Sequence, residues 1–292
     1  MAETVAQRAA IDAAAQIMAE EESKLGITHA GFAMTSLPHK KLAEPLWRRQ
    51  GGSTTLLVES GRQADGTFVG VPYGSMARLI LLYLQTEAIR TNSPEVELGR
   101  SMNSWISRMS MSVGGRTYQL VREQARRISA CRLTFLTSTG NAEQRMNGAF
   151  VRGAISMVGV ANEERQPGLW EERVRLDEGF WASLREHPVP VREEAIFAIG
   201  TRSMAMDVYI WLAYRLHALS KPTPITWTAL QGQFAGGYKD ARFVRPVFLD
   251  ALQLALAVYP EARVDADAKY GVTLHPSPPA VPRQQARRLQ LT

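Results

Sequence analysis

Apolar positions along the chain fall into short alternating runs and runs at helical spacing, with turn residues between them. Residues 54–59 and 67–71 are short apolar runs around Ser60-Gly-Arg-Gln-Ala-Asp-Gly66, which predicts strand, turn and strand. Ser75 is suited to cap a helix carrying Met76, Leu79, Ile80, Tyr83 and Leu84, stopped by Thr91-Asn-Ser-Pro94. From Ser101, the residues Met102, Trp105, Ile106 and Met109 keep the spacing of a short amphipathic helix, which Ser112-Val-Gly-Gly115 breaks. Leu120, Val121, Ala125 and Ile128 then recur at helical spacing over 117–129. Segments 132–138 and 149–158 alternate like two strands, joined by a glycine- and asparagine-rich tip that carries Arg145. Helix, glycine turn, helix and hairpin is the order of a winged helix, whose second helix enters the major groove of DNA.

The order recurs. Ser203 opens an apolar helix containing Met204, Val208, Trp211, Leu212 and Leu219, which Lys221-Pro-Thr-Pro224 ends. Residues 227–234 predict a short helix and Ala235-Gly-Gly237 a turn. A last helix begins near Pro246, which is tolerated in a first helical turn, and runs to Tyr259-Pro260. Residues 262–264 and 271–274 predict a second hairpin. The expected fold class is α+β: two tandem winged-helix domains, mainly α with small β-hairpin wings. The expected boundaries are an N-terminal arm over 1–45, winged-helix domains over 46–165 and 166–282, and a basic C-terminal tail over 283–292. Arg165-Gln-Pro-Gly168 is the expected linker, with a helix near 177–186 and kinks at Pro188 and Pro190 after it.

Charge sharpens this picture. Seven arginines and one glutamate lie between Arg100 and Arg132, a local excess of +6 that equals the net charge of the 292-residue chain. Such local concentration points to a polyanion partner. Arg116, Arg122, Arg126 and Arg127 fall opposite the apolar face of 117–129, and Arg116, Thr117 and Gln119 occupy the end that reaches base edges in a recognition helix. Arg108 and Arg145 are expected on phosphates, and Arg100 on a phosphate or a base. In the second copy only Asp250 and Gln253 are polar within 246–258, so DNA contacts there are expected from Lys239, Arg242 and Arg245 at the helix start and from Lys269 on the wing.

The remaining features exclude more than they suggest. The hydrophobic content is 45% and charged residues make up 21%, as in an ordinary globular protein. No apolar run is long enough to span a membrane, and Met1-Ala-Glu-Thr lacks the order of a signal peptide, so a cytoplasmic protein is expected. The single cysteine, Cys131, excludes an internal disulfide and reads as a buried strand residue. His29, His39, His187, His217 and His275 show no paired metal-ligand spacing, so no metal is expected. The chain has no Gly-Lys dipeptide, which excludes a P-loop. Asp265-Ala-Asp267 resembles a calcium-loop fragment, but Gly271 lies one place too late, and a hairpin turn is the better reading. A nicking enzyme would need a tyrosine beside a metal-binding cluster, and neither Tyr118 nor Tyr238 has such company. No catalytic residue, enzyme activity or cofactor is expected.

Separated stretches carry a family resemblance. Pro72-Tyr-Gly-Ser-Met-Ala-Arg-Leu79, Gln85-Thr-Glu-Ala-Ile-Arg-Thr91, Leu98-Gly-Arg-Ser101 and His187-Pro-Val-Pro190 come first. Asp207-Val-Tyr-Ile-Trp-Leu-Ala-Tyr-Arg215, Ala257-Val-Tyr-Pro-Glu-Ala-Arg263 and Leu274-His-Pro-Ser-Pro-Pro279 follow in order. Together, from about Trp47 to Pro282, they resemble the RepA-type plasmid replication initiators. The resemblance implies a plasmid protein that binds repeated sites in double-stranded origin DNA, promotes origin opening and recruits host replication proteins. It also implies two winged-helix domains, with binding to direct repeats as monomers and to inverted repeats as dimers. A homodimer, if formed, is expected to use the first domain. The chain departs from the pattern near Asp250 and Gln253, where basic residues are expected. The alternative function is a sequence-specific repressor with no role at an origin.

Overall fold

The structure is a computed structural model that describes residues 24–109, 111–139, 142–153, 173–235 and 244–282, together with Arg8 and Asp12. Its elements begin with β1 (Leu25–His29), α1 (Ala30–Met34), β2 (Leu46–Gly51), β3 (Thr54–Glu59), α2 (Gly74–Arg90), β4 (Glu95–Glu97), α3 (Met102–Arg108) and α4 (Gly115–Ala130). Then come β5 (Arg132–Thr139), β6 (Ala142–Ala149), β7 (Val151–Arg152), β8 (Arg173–Leu176), α5 (Glu178–Glu186), β9 (Pro188–Arg192) and α6 (Glu193–Ile199). The chain continues with α7 (Ser203–Arg215), β10 (Thr223–Thr226), α8 (Trp227–Phe234), α9 (Val244–Ala257), β11 (Val264–Asp267) and β12 (Gly271–Leu274). The architecture is mixed α and β, with small antiparallel sheets.

Two helices are apolar on nearly every side and therefore lie centrally. In α7 every residue from Met204 to Ala213 is buried; in α2 the buried positions run without a break from Ala77 to Thr86. Ile80 and Leu84 of α2 join a core with Trp105, Val121, Phe135 and Phe180, whereas Leu79 and Leu82 join a second core with Val208, Trp211, Phe234 and Phe248. A buried ion pair links the two central helices. Arg78 donates from Nε and Nη2 to the Asp207 carboxylate, 2.6 Å in each case, and also bonds the carbonyls of Leu37, Pro38 and Gly74 and, at 3.4 Å, His39 Nδ1. His39 bonds Ser203 Oγ and the Phe234 carbonyl beside this pair, and burial lowers its pKa to about 3.

One element order occurs twice. Helix α2, strand β4, helices α3 and α4 and strands β7 and β8 have their counterparts in α7, β10, α8, α9, β11 and β12. The strand order also matches: β4-β8-β7 in the first case and β10-β12-β11 in the second, antiparallel throughout. The first copy differs by an insertion. Between α4 and β7 the chain adds β5 and β6, which extend the β2-β3 hairpin into the sheet β2-β3-β5-β6.

That insertion corrects the hairpin expected over 132–158. Strand β5 pairs with β6, which of the expected 149–158 strand includes only Ala149, while Val151 and Arg152 pair with β8 and 154–158 lie outside the described residues; Arg145 lies within β6 opposite Leu136 rather than at a wing tip. The polar positions of 143–148 look like a loop because Gln144, Arg145 and Asn147 are exposed, and the strand is defined by its ladder to β5 rather than by an alternating apolar face. The strand expected over 67–71 is likewise absent: β3 pairs with β2 and β5, and only an isolated bridge joins Arg62 to Phe68. Within 1–45, β1 pairs with β9, and Ile27, Phe32 and Leu37 are buried in the first core. Ser75 and Ser203 lie inside their helices, whose N-cap positions are held by Tyr73 and Arg202 without a side-chain capping bond, and α9 covers Val244–Ala257, with Pro246 in its first turn. The expected linker 165–168 lies outside the described residues.

Candidate nucleic-acid interface

Ser101 caps α3 by accepting from Ser104 N at 3.2 Å, and Met102, Trp105 and Ile106 anchor the helix in the core. Helix α4 follows with Val121, Gln124, Ala125 and Ile128 turned inward. Its opposite side presents Arg116, Gln119, Arg122 and Arg126 to solvent, with Thr117 half-buried beside them. Three cations on one helix face, with no acidic residue in the first turn, form a concentrated positive stripe.

Arg127 is not part of that stripe. It is 3% exposed and donates to the Val71 carbonyl at 2.9 Å and to Glu123 Oε1 at 3.2 and 3.0 Å. Its guanidinium also lies 5.1 Å from the Tyr73 ring centroid. Periodicity places Arg127 at the margin of the apolar face, and the segment before α2 folds over it. Gly70 makes room: at φ +91°, a Cβ there would lie 2.0 Å from Arg127 Nη1. The ion pair also neutralises Glu123, so the outward charge of the helix is set by the other arginines.

The remaining expected contacts are dispersed. Arg100 is exposed just before α3. Arg108 is exposed, but it donates to Tyr83 Oη at 3.3 Å and the Glu97 carbonyl at 3.4 Å, in a groove of mixed charge lined by Glu87, Arg90, Glu97 and Arg173. Arg145 is exposed on β6. Lys239 and Arg242 lie outside the described residues.

In the second copy, Arg245 and Lys269 are brought to one place. Arg245 lies over the Trp227 ring at 5.2 Å, and Trp227 Nε1 donates to the Asp267 carbonyl at 3.0 Å. Asp267 shapes the β11–β12 turn by accepting from the backbone N–H groups of Lys269 and Tyr270 at 2.6 and 2.8 Å, and these bonds lower its pKa. The turn lifts Tyr270, 67% exposed, beside Lys269, whose Nζ is 5.2 Å from its ring centroid. Sequence reasoning missed Trp227 and Tyr270; an aromatic beside a lysine in a hairpin turn was the available signal.

Among the described residues, no group of three or more His, Cys, Asp and Glu could hold a metal ion. Cys131 is buried, and desolvation pushes its thiol up to about 12. His29, stacked on Phe135 and bonded through Nε2 to Ser183 Oγ, is lowered to about 3 by burial and then by His187. No helix among the described residues is long and apolar enough to cross a membrane.

Among solved structures, a crystal structure of domains 2 and 3 of RctB has a TM-score of 0.49 at 10% identity, covering 76% of this chain and 82% of that one. A second structure of RctB domains 2–3, spanning its residues 155–483, has a TM-score of 0.48 at 11% identity, with coverage of 83% and 93%. No curated protein matches the chain. The family described as plasmid encoded RepA protein matches residues 71–228, which span the first copy of the repeated element order and enter α8 of the second. With more than half of its length in that match, the chain belongs to the plasmid-encoded RepA replication protein family.

Proposed function

We propose that this RepA protein initiates plasmid replication by binding repeated double-stranded sites at the origin through two tandem winged-helix domains. The observation that carries this reading is the α4 stripe, with Arg116, Gln119, Arg122 and Arg126 outward on the second helix of a helix-turn-helix. In this reading β7–β8 and β11–β12 are the two wings, and the division between domains falls after α5, whose Phe180 and Leu184 belong to the first core. Arg116 and Gln119 read base edges, while Arg122 and Arg126 hold phosphates. Arg245, Lys269 and Tyr270 form the contact surface of the second domain. Bound protein opens the origin and recruits host replication proteins in the cytoplasm, without enzyme activity or a cofactor of its own.

The test is a plasmid carrying only this gene, its flanking DNA and a selectable marker. Replication is expected with the intact gene and is lost with the Arg122→Ala/Arg126→Ala variant, although that protein stays folded. A repressor without an origin role predicts a different result: neither plasmid replicates, because nothing else on it initiates, and the variant only raises transcription from the gene's promoter.

A further inference from the structure

We infer that the finger formed by residues 61–69 is a second DNA-contacting element, which clasps the backbone of the strand lying on α4. This rests on the reading of α4 as a DNA-facing helix. Positions 62–68 are all exposed, so no core contact holds them in place. They are nevertheless tightly organised. Gln63 N donates to the Thr67 carbonyl at 2.8 Å, Gly66 N to the Gln63 carbonyl at 3.0 Å, and Val69 N to the Gly61 carbonyl at 3.0 Å. Asp65 Oδ1 accepts from Thr67 N at 2.9 Å and Thr67 Oγ1 at 2.6 Å, bonds that hold the finger's one carboxylate, in its ionised form, in the turn. A protrusion ordered by its own bonds loses little entropy on meeting a partner.

Its root is clamped to the last turns of α4. A Cβ on Gly61 would lie 2.3 Å from the Ala130 carbonyl oxygen, and Gly70 packs on Arg127 with comparable closeness. Arg126, a member of the exposed stripe, donates to Gln63 Oε1 at 3.1 Å. The finger therefore adjoins the basic face of α4, with Arg62 as its own cation and Asp65 as its own anion. Next to that root, Arg62, bridged to Phe68 and donating from Nη1 to the Gly66 carbonyl at 2.6 Å, lies 4.0 Å over the Phe68 ring, which is 44% exposed. An exposed phenylalanine under a guanidinium has no role in the core; it presents a flat apolar face and a cation together. That pairing fits a sugar–phosphate backbone, with the ring against deoxyribose and the guanidinium on phosphate.

The test compares Arg62→Gln, Phe68→Ser and Arg122→Gln by fluorescence anisotropy, with a short duplex cut from the plasmid DNA beside the gene and a shuffled duplex. All three positions are exposed, and unchanged melting temperatures verify folding. Arg62→Gln is expected to weaken both duplexes about 5-fold or more and to reduce the salt slope of log affinity by about 0.9, the share of one phosphate. Phe68→Ser is expected to weaken binding while leaving that slope unchanged, since a ring neutralises no phosphate, and to erase hydroxyl-radical protections at one edge of the footprint. If Arg122→Gln weakens binding while both finger variants match the parent in affinity, slope and footprint, the finger inference is overturned and the α4 reading stands. Parent-like binding by all three overturns both.

Discussion

Arg122 and Arg127 share one helix and one charge, yet their surroundings assign them opposite tasks. Arg127→Ala leaves the Val71 carbonyl without its donor and the partly buried Glu123 with only Tyr73 and Lys41 beside it, so a stability loss of about 2–3 kcal/mol is expected in urea denaturation. Arg122→Ala should cost less than about 0.5 kcal/mol of stability and act on DNA affinity alone. Equal stability losses would refute this division. Histidines give a second residue-scale expectation. His29 and His39 are held near pKa 3 when folded, against an ordinary 6.5. Below pH 6.5 the unfolded chain takes up protons that the folded chain refuses, so each histidine removes roughly 1.4 kcal/mol per pH unit until the folded value is reached. Glu193 opposes one of them: burial, then Glu194 and Glu87, raise it to about 7, so it favours folding as pH falls from there to its ordinary 4.5. A net loss of about 2 kcal/mol between pH 6.5 and 5 is expected. Urea midpoints at the two pH values check it, and the loss must vanish in a His29→Gln/His39→Gln variant.

At the scale of elements, α3 and α4 are legible because an apolar face at helical spacing can be buried in only one way. The β5–β6 hairpin is less legible. Gln144, Arg145 and Asn147 stay in solvent, and a polar strand between two turns carries the composition of a loop. The β7–β8 pair of the first copy is obscured for another reason: β7 is two residues long and its partner β8 lies beyond a long intervening segment, so only pairing reveals the unit. The hairpin β11–β12 supports an expectation of its own. Lys269→Ala with Tyr270→Ala should lower affinity for cognate duplex about 10-fold, with stability unchanged within about 0.5 kcal/mol, because both side chains project from a turn shaped by Asp267. Unaltered affinity in a filter-binding titration would make this hairpin a structural element only.

For the whole molecule, the Arg78–Asp207 pair is the point where α2 and α7 meet. Asp207→Ala strands a guanidinium that is 8% exposed, and a loss of about 3–5 kcal/mol is expected. Because α2 supplies side chains to both cores, calorimetry should show one transition for the parent chain. Two resolved transitions in the parent would mean that the cores are independent and the pair is peripheral. The repeated order of helices, the amphipathic α4 and the basic excess around it follow from spacing and charge, which are local properties and therefore readable along the chain. Three features lie beyond such reading: Arg127 turned inward, a hairpin inserted into the first copy, and an exposed finger clamped to α4. Each depends on which distant segment packs where, and packing sets burial, pairing partner and the meaning of a charge. An arginine in sequence is a cation; whether it faces DNA or a buried carbonyl depends on the segment folded over it.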